Sequence, residues 1–161
     1  MGYSFEEIIV RRVLRELRET PRVALGEGIP QLVRPHLPSL VCLDSNGGAV
    51  DVAVVEAREV SAQGDLVLSN GVSGPQLEAR RWIVATLHTN ERGEPKLVRN
   101  CRYRVSRPKC VGLVITELGV IEITGVGLVL KEVCPGIATD DVKMKTAASL
   151  HVADNIQLME L

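Results

Sequence analysis

With 19 basic and 20 acidic residues among 161, the chain carries a formal net charge of −1 and has no basic excess for nucleic acid. Its one Trp, one Phe and two Tyr give no stacking platform, and no apolar run approaches the ~20 residues of a membrane span. The length suits a single domain over 1–161, able to bury roughly 70% of its unfolded surface with no disulfide or metal.

Apolar residues make up 45% of the chain, so its core must be built from Val, Leu and Ile, which suit strands covered on both faces. Cys42, Cys101, Cys110 and Cys134 lack metal-ligand spacing, and His36, His88 and His151 are scattered; reduced thiols and no metal site are expected. The N-terminus lacks an apolar signal region, which leads to the expectation of a cytoplasmic protein.

Ser4 and Glu7 form a capping-box pattern, and Val10, Val13, Leu14 and Leu17 repeat on one face of the helix that follows. Pairs Glu7–Arg11, Arg12–Glu16 and Arg15–Glu19 are placed on its solvated side. Arg22 to Leu25 reads as a strand running into Gly26-Glu27-Gly28-Ile29-Pro30, with Pro30 opening a helix to about His36. Such a turn presents backbone amides to an anion or a carbonyl oxygen. Glu27, in its middle, is either an exposed turn carboxylate or an acid, base or nucleophile.

Leu40 to Leu43 and Val50 to Val55 are strand runs joined by Asp44-Ser45-Asn46-Gly47-Gly48-Ala49. That junction is a tight turn or a ligand site at the carboxyl end of a buried strand. Ser61 to Asp65 is a turn, Leu66 to Leu68 a strand, Ser69 to Pro75 a glycine-rich loop and Trp82 to Leu87 a further run. Val111 to Ile115, Val120 to Ile123 and Leu128 to Val133 are strands, followed by a short helix capped by Thr139 over Asp140 to Ala147. The pattern predicts an α/β domain with a mainly parallel open sheet flanked by helices.

Several segments, in order, resemble the β subunit of family I CoA-transferases, the 3-oxoacid and acetate/acetoacetate group. Gly26-Glu27-Gly28-Ile29-Pro30 is similar to its GxGxP turn, Gly47-Gly48-Ala49-Val50-Asp51 to its GGHVD, and Val60 through Gly64-Asp65-Leu66 to its QVxxxGDL. His88-Thr89 with Gly93-Glu94-Pro95-Lys96-Leu97-Val98 resembles its EHTxxxGxPKIV, and Cys110 to Val120 its CVDRIITELAVF. Pro135-Gly136 and Val152-Ala153-Asp154 match as well.

The resemblance implies a NagB/RpiA/CoA-transferase-like fold, here shortened, with coenzyme A as substrate and no tightly bound cofactor. It implies transfer of CoA between an acyl-CoA and a carboxylic (3-oxo) acid. The partner would be an α-type subunit or a second copy in a homo-oligomer. In that family a glutamate of a strand-end SENG motif attacks the acyl-CoA, and the GxGxP turn shapes the oxyanion environment. This chain has Asp44-Ser45-Asn46-Gly47 at that place, and the family's several dozen residues between SENG and GGHVD are missing. The family's glycine-rich CoA loop is shortened to Val72–Leu77, and the glutamate of its EHT is Leu87.

Glu27 is then the expected catalytic carboxylate, with Gly26, Gly28, Ser45, Asn46, Gly47 and Gly48 as expected CoA- and substrate-binding positions. Asp44, one methylene shorter than glutamate, is the neighbouring alternative. A non-catalytic self-associating or scaffolding relative, or a CoA-thioester hydrolase, are the other readings the sequence leaves open.

Overall fold

The computed structural model describes residues 2–37, 42–43, 49–69 and 78–161. The expected first helix forms as α1 (Phe5–Glu16). The Glu7 amide donates to Ser4 Oγ at 3.1 Å and the Ser4 amide to Glu7 Oε2 at 2.8 Å, a complete capping box. β1 (Arg22–Leu25) leads through the glycine turn into a 3-10 helix, Ile29–His36, with Pro30 in its first turn. Two-residue β2 (Cys42–Leu43), β3 (Ala49–Val55) and β6 (Glu78–Ala85) follow the expected apolar runs. β8 (Val111–Ile115), β9 (Gly119–Thr124) and β10 (Gly127–Val133) fall where Val and Ile recur.

These strands, with β11 (Leu150–Leu158), build an eight-stranded sheet in the order β11-β10-β9-β8-β6-β3-β1-β2. From β2 to β8 every neighbouring pair is parallel, as are β10 and β11, while β9 runs antiparallel to both its neighbours. The mainly parallel sheet is therefore as expected. One face is covered by α1 and the 3-10 helix: Ile9, Val13, Leu17 and Val33 pack with Val52, Val54, Ile83 and Ile115. Fully burying a Val, Leu or Ile side chain contributes about 1.5–3 kcal/mol each.

A second small sheet covers much of the opposite face. β5 (Leu66–Leu68), β4 (Ala57–Ser61) and β7 (Leu97–Val98) lie in that order. Val60, Leu66 and Leu97 meet Ala53, Trp82, Val84 and Val114, and Val142 of α2 (Thr139–Met144) joins them. The period of two along β6, Trp82 and Val84 to one face and Ile83 and Ala85 to the other, separates the two layers.

Three local expectations are corrected. Helix α2 is capped at Ala138 and ends at Met144, so Thr139 lies inside it rather than capping it. The exposed, nine-residue β11 was not anticipated, because Asp154 and Asn155 interrupt its apolar pattern; its pairing with β10 overrides their low strand preference.

Arg12, expected on the solvated side, is buried at 8% exposure. Its Nε and Nη2 donate to Glu132 at 2.9 and 2.6 Å, and Nη2 lies 2.8 Å from Glu16. The guanidinium pairs with the carboxylate that β10 brings under α1.

Candidate functional site

Because β1, β3, β6 and β8 are parallel neighbours, their carboxyl ends share one edge of the sheet, the place where open α/β sheets bind ligands. On that edge stand the Gly26–Gly28 turn after β1, Glu56 after β3, Thr86 to His88 after β6, and Thr116 with Glu117 after β8.

The turn is tightly fixed. Gly26 donates to the Val54 carbonyl at 2.8 Å, and the Gln31 side-chain amide donates to the carbonyls of Leu25 and Gly26 at 3.1 and 3.0 Å. Gly28 has a φ of +84°, and a Cβ there would collide with Glu56 Oε2. Ile29, the next residue, donates its amide to that same oxygen at 2.9 Å. The donor expected to face a ligand therefore holds a carboxylate of the chain itself. Glu56 is half-buried, and among the described residues its Oε1 accepts no hydrogen bond.

Lys96 comes to the same edge from the loop before β7. Its Nζ donates to Thr86 Oγ1 at 2.8 Å, and that hydroxyl lies 3.4 Å from the Ala57 carbonyl, one residue past Glu56. Burial is the larger influence on Lys96 and lowers its pKa, while the nearby carboxylates of Glu56 and Glu117 oppose the shift. Glu117 in turn accepts the His88 amide at 2.7 Å. A desolvated ammonium between two carboxylates can stabilise negative charge that develops beside it.

His88 is structural. It is 1% exposed, its Nδ1 lies 3.0 Å from Thr116 Oγ1 and its Nε2 2.9 Å from Thr146 Oγ1. Thr146 donates its own proton to the Val142 carbonyl at 2.8 Å, so it must accept from Nε2–H, and Thr116 must donate to Nδ1. Burial, with Lys145 adding to it, pushes the imidazole down to about 4. The neutral ring pins the end of α2 to the loop after β8.

The matched Gly64-Asp65-Leu66 is structural too. Gly64 has a φ of +91°, and a Cβ there would lie 2.9 Å from the Val111 carbonyl. Asp65 accepts the Lys109 amide at 2.9 Å and the Ser61 hydroxyl at 3.0 Å, locking the β4–β5 turn to the turn that leads into β8.

Of the expected site residues, Gly26, Glu27 and Gly28 sit together on the carboxyl edge, with Glu27 exposed at the tip of the turn. Ser45, Asn46, Gly47 and Gly48, with Asp44, lie outside the described residues. Glu56, Lys96 and Glu117 are further candidate residues on this edge that the sequence did not single out. The signal for Glu56 was its place directly after the Val50–Val55 run; Lys96 and Glu117 stood inside matched motifs as chemically plain positions.

Two grooves lie elsewhere. One of about 450 Å³ is bounded by Arg11, Arg15, Arg18, His36 and Glu160, and another of about 630 Å³ by Gln63, Arg99, Val126, Ser149 and His151. Among the described residues no group of His, Cys, Asp or Glu is arranged to hold a metal ion, and no helix is long and apolar enough to cross a membrane. Burial, chiefly, pushes the thiols of Cys101 and Cys110 up to about 11, so both stay protonated near neutral pH.

Comparison with known proteins agrees with this architecture. No family model matches the chain. A probable coenzyme A transferase β subunit of Bacillus subtilis is 31% identical over 115 residues, 65% of this chain and 53% of that protein. The match thus spans about half the length of that relative. An acetate CoA-transferase β subunit of Haemophilus influenzae is 25% identical over 213 aligned positions, 97% of this chain and 96% of that one.

Among solved structures, an acyl-CoA transferase (YdiF) apoenzyme from Escherichia coli O157:H7 superposes with a TM-score of 0.79 at 16% identity, over 99% of this chain and 44% of that one. The decarboxylase AibA/AibB superposes at 0.69 and 16% identity, over 99% and 90%. The fold is thus of the NagB/RpiA/CoA-transferase type. In sequence the chain is similar to several CoA-transferase β subunits.

Proposed function

We propose that this chain acts as the β-type subunit of a CoA-transferase, moving CoA between an acyl-CoA and a carboxylic acid of the 3-oxo type. Its partner is an α-type subunit or a second copy of the chain, coenzyme A enters as substrate, and the setting is the cytoplasm. The observation that carries this reading is the clustering of a glycine turn, the Glu56 and Glu27 carboxylates and the half-buried Lys96 on the carboxyl edge of the parallel strands. Exchange of CoA between two carboxylates needs a carboxylate to accept the acyl group and a fixed positive group to hold the oxyanion. Both kinds of group are present there.

Gly26 and Gly28 contribute backbone to the CoA side of this edge, and Ser45, Asn46, Gly47 and Gly48 are further CoA- and substrate-binding positions of this reading. The decarboxylase among the structural neighbours is a reminder that the fold alone does not select the reaction. Co-expression with α-type subunits, followed by transfer of carbon label from succinate or acetoacetate into acyl-CoA, tests the reading. Label should enter acyl-CoA with an α-type subunit present, or with the chain alone if its partner is a second copy; free CoA released with no acceptor, or no turnover in either arrangement, would contradict it.

A further inference from the structure

β1 lies between β2 and β3 in the sheet, so the glycine turn that ends β1 is flanked on one side by the end of β2 and on the other by the end of β3. The end of β2 leads to Asp44 and Ser45, where the sequence offers no glutamate. The end of β3 carries one: Glu56, whose Oε2 accepts the Ile29 amide at 2.9 Å on that same turn. We propose that Glu56 is the reacting carboxylate of this chain, moved one strand across the turn, rather than Glu27. The proposal rests on the transferase reading above and names the residue that performs it.

Three observations favour Glu56. Its carboxylate is half-buried and anchored through one oxygen on the Ile29 amide of the turn. An oriented nucleophile avoids much of the entropic cost of reaching the attack geometry. Second, the anchoring hydrogen bond falls on Oε2, so Oε1 is the oxygen placed to attack. Third, the Lys96 ammonium is held through Thr86 Oγ1 toward the Ala57 carbonyl, one residue past Glu56.

The step balances without redox chemistry. Oε1 adds to the thioester carbonyl, the C–S bond breaks, and CoA leaves as thiolate with the electron pair, giving an acyl anhydride on Glu56. The thiolate then adds to the Glu56 carbonyl, expelling the first carboxylate and leaving a glutamyl-CoA thioester. An acceptor carboxylate runs the two steps in reverse.

The test uses the purified chain with its co-purifying subunit, succinyl-CoA as the probe, a hydroxylamine quench and peptide mapping by mass. The expected result is a hydroxamate on Glu56, absent in Glu56→Gln, retained in Glu27→Gln and present in reduced amount in Glu56→Asp. Circular dichroism and thermal melting of each variant verify that its fold is kept. A hydroxamate on Glu27 or Asp44 overturns the assignment of Glu56 and leaves the transferase reading standing. Label transfer into acyl-CoA with no trapped residue, or undiminished in Glu56→Gln, also removes Glu56 alone. Neither trapping nor label transfer overturns both.

Discussion

The Ile29 amide donates to the Glu56 carboxylate at 2.9 Å, so the turn that closes β1 is held by the side chain that ends β3. The same carboxylate oxygen occupies the space a side chain on Gly28 would need. Two neighbouring strands thereby fix one backbone conformation on the carboxyl edge of the sheet.

From that contact, Gly28→Ala should lose about 2 kcal/mol or more in urea unfolding, through the cost of a φ of +84° added to the collision with Glu56. Adding Glu56→Ala should recover part of the loss, since it removes the collision and leaves only the backbone strain. An identical cost for Gly28→Ala in both backgrounds would show that the carboxylate is not what demands glycine.

Stability should depend on pH through His88. Its folded pKa, about 4, lies below the ordinary 6.5, so the unfolded chain binds the proton more readily. The contribution is fully present above pH 6.5 and is lost as pH falls from there toward 4, by about 3 kcal/mol in all. In His88→Gln the unfolding free energy should be lower at pH 7.5, but its slope between pH 6.5 and 4 should be shallower. Equal slopes in the two proteins would remove His88 from the account.

Arg12 answers two carboxylates, Glu132 of β10 at 2.6 Å and Glu16 of its own helix at 2.8 Å. Arg12→Met should cost about 3 kcal/mol, because it strands Glu132 in a poorly solvated position. Arg12→Met with Glu132→Leu should cost clearly less, as the stranded charge is gone. A double variant no better than the single one would mean that lost packing, not lost charge pairing, sets the cost.

Glu59, 1% exposed, accepts the amides of Arg102 and Tyr103 at 2.8 and 3.3 Å and Arg102 Nε at 2.9 Å. Glu59→Ala should free the basic segment 99–109, so limited trypsin digestion should cut at Arg102 and Arg104 well before the core unfolds. Unchanged cleavage rates there would mean that the segment is held by other contacts, such as Arg107 over the Trp82 ring.

The sheet was legible because it is written in Val and Ile. β1 and β8 match the apolar runs residue for residue, and the capping box of α1 is local enough to read from Ser4 and Glu7 alone. What escaped depends on partners distant in sequence. Arg12 looked solvated because its carboxylate stands 120 residues away. β11 needed β10 to become a strand. Within the site, the glycine turn was visible as a pattern of φ-permissive residues. Glu56 was not, because nothing in the local sequence says that a side chain after β3 meets an amide after β1. His88 and Asp65 stood out as matched motif residues, yet their partners make them fold clamps.

The central claim is that the chain meets CoA at the carboxyl edge of β1 and β3. Hydrogen–deuterium exchange on the purified complex, with and without CoA, tests it most directly. The expected result is slowed exchange in the peptides spanning 23–31 and 54–58, with little change at 124–127 and 148–151. Protection confined to the latter groove, with the β1 and β3 ends exchanging as before, would contradict it.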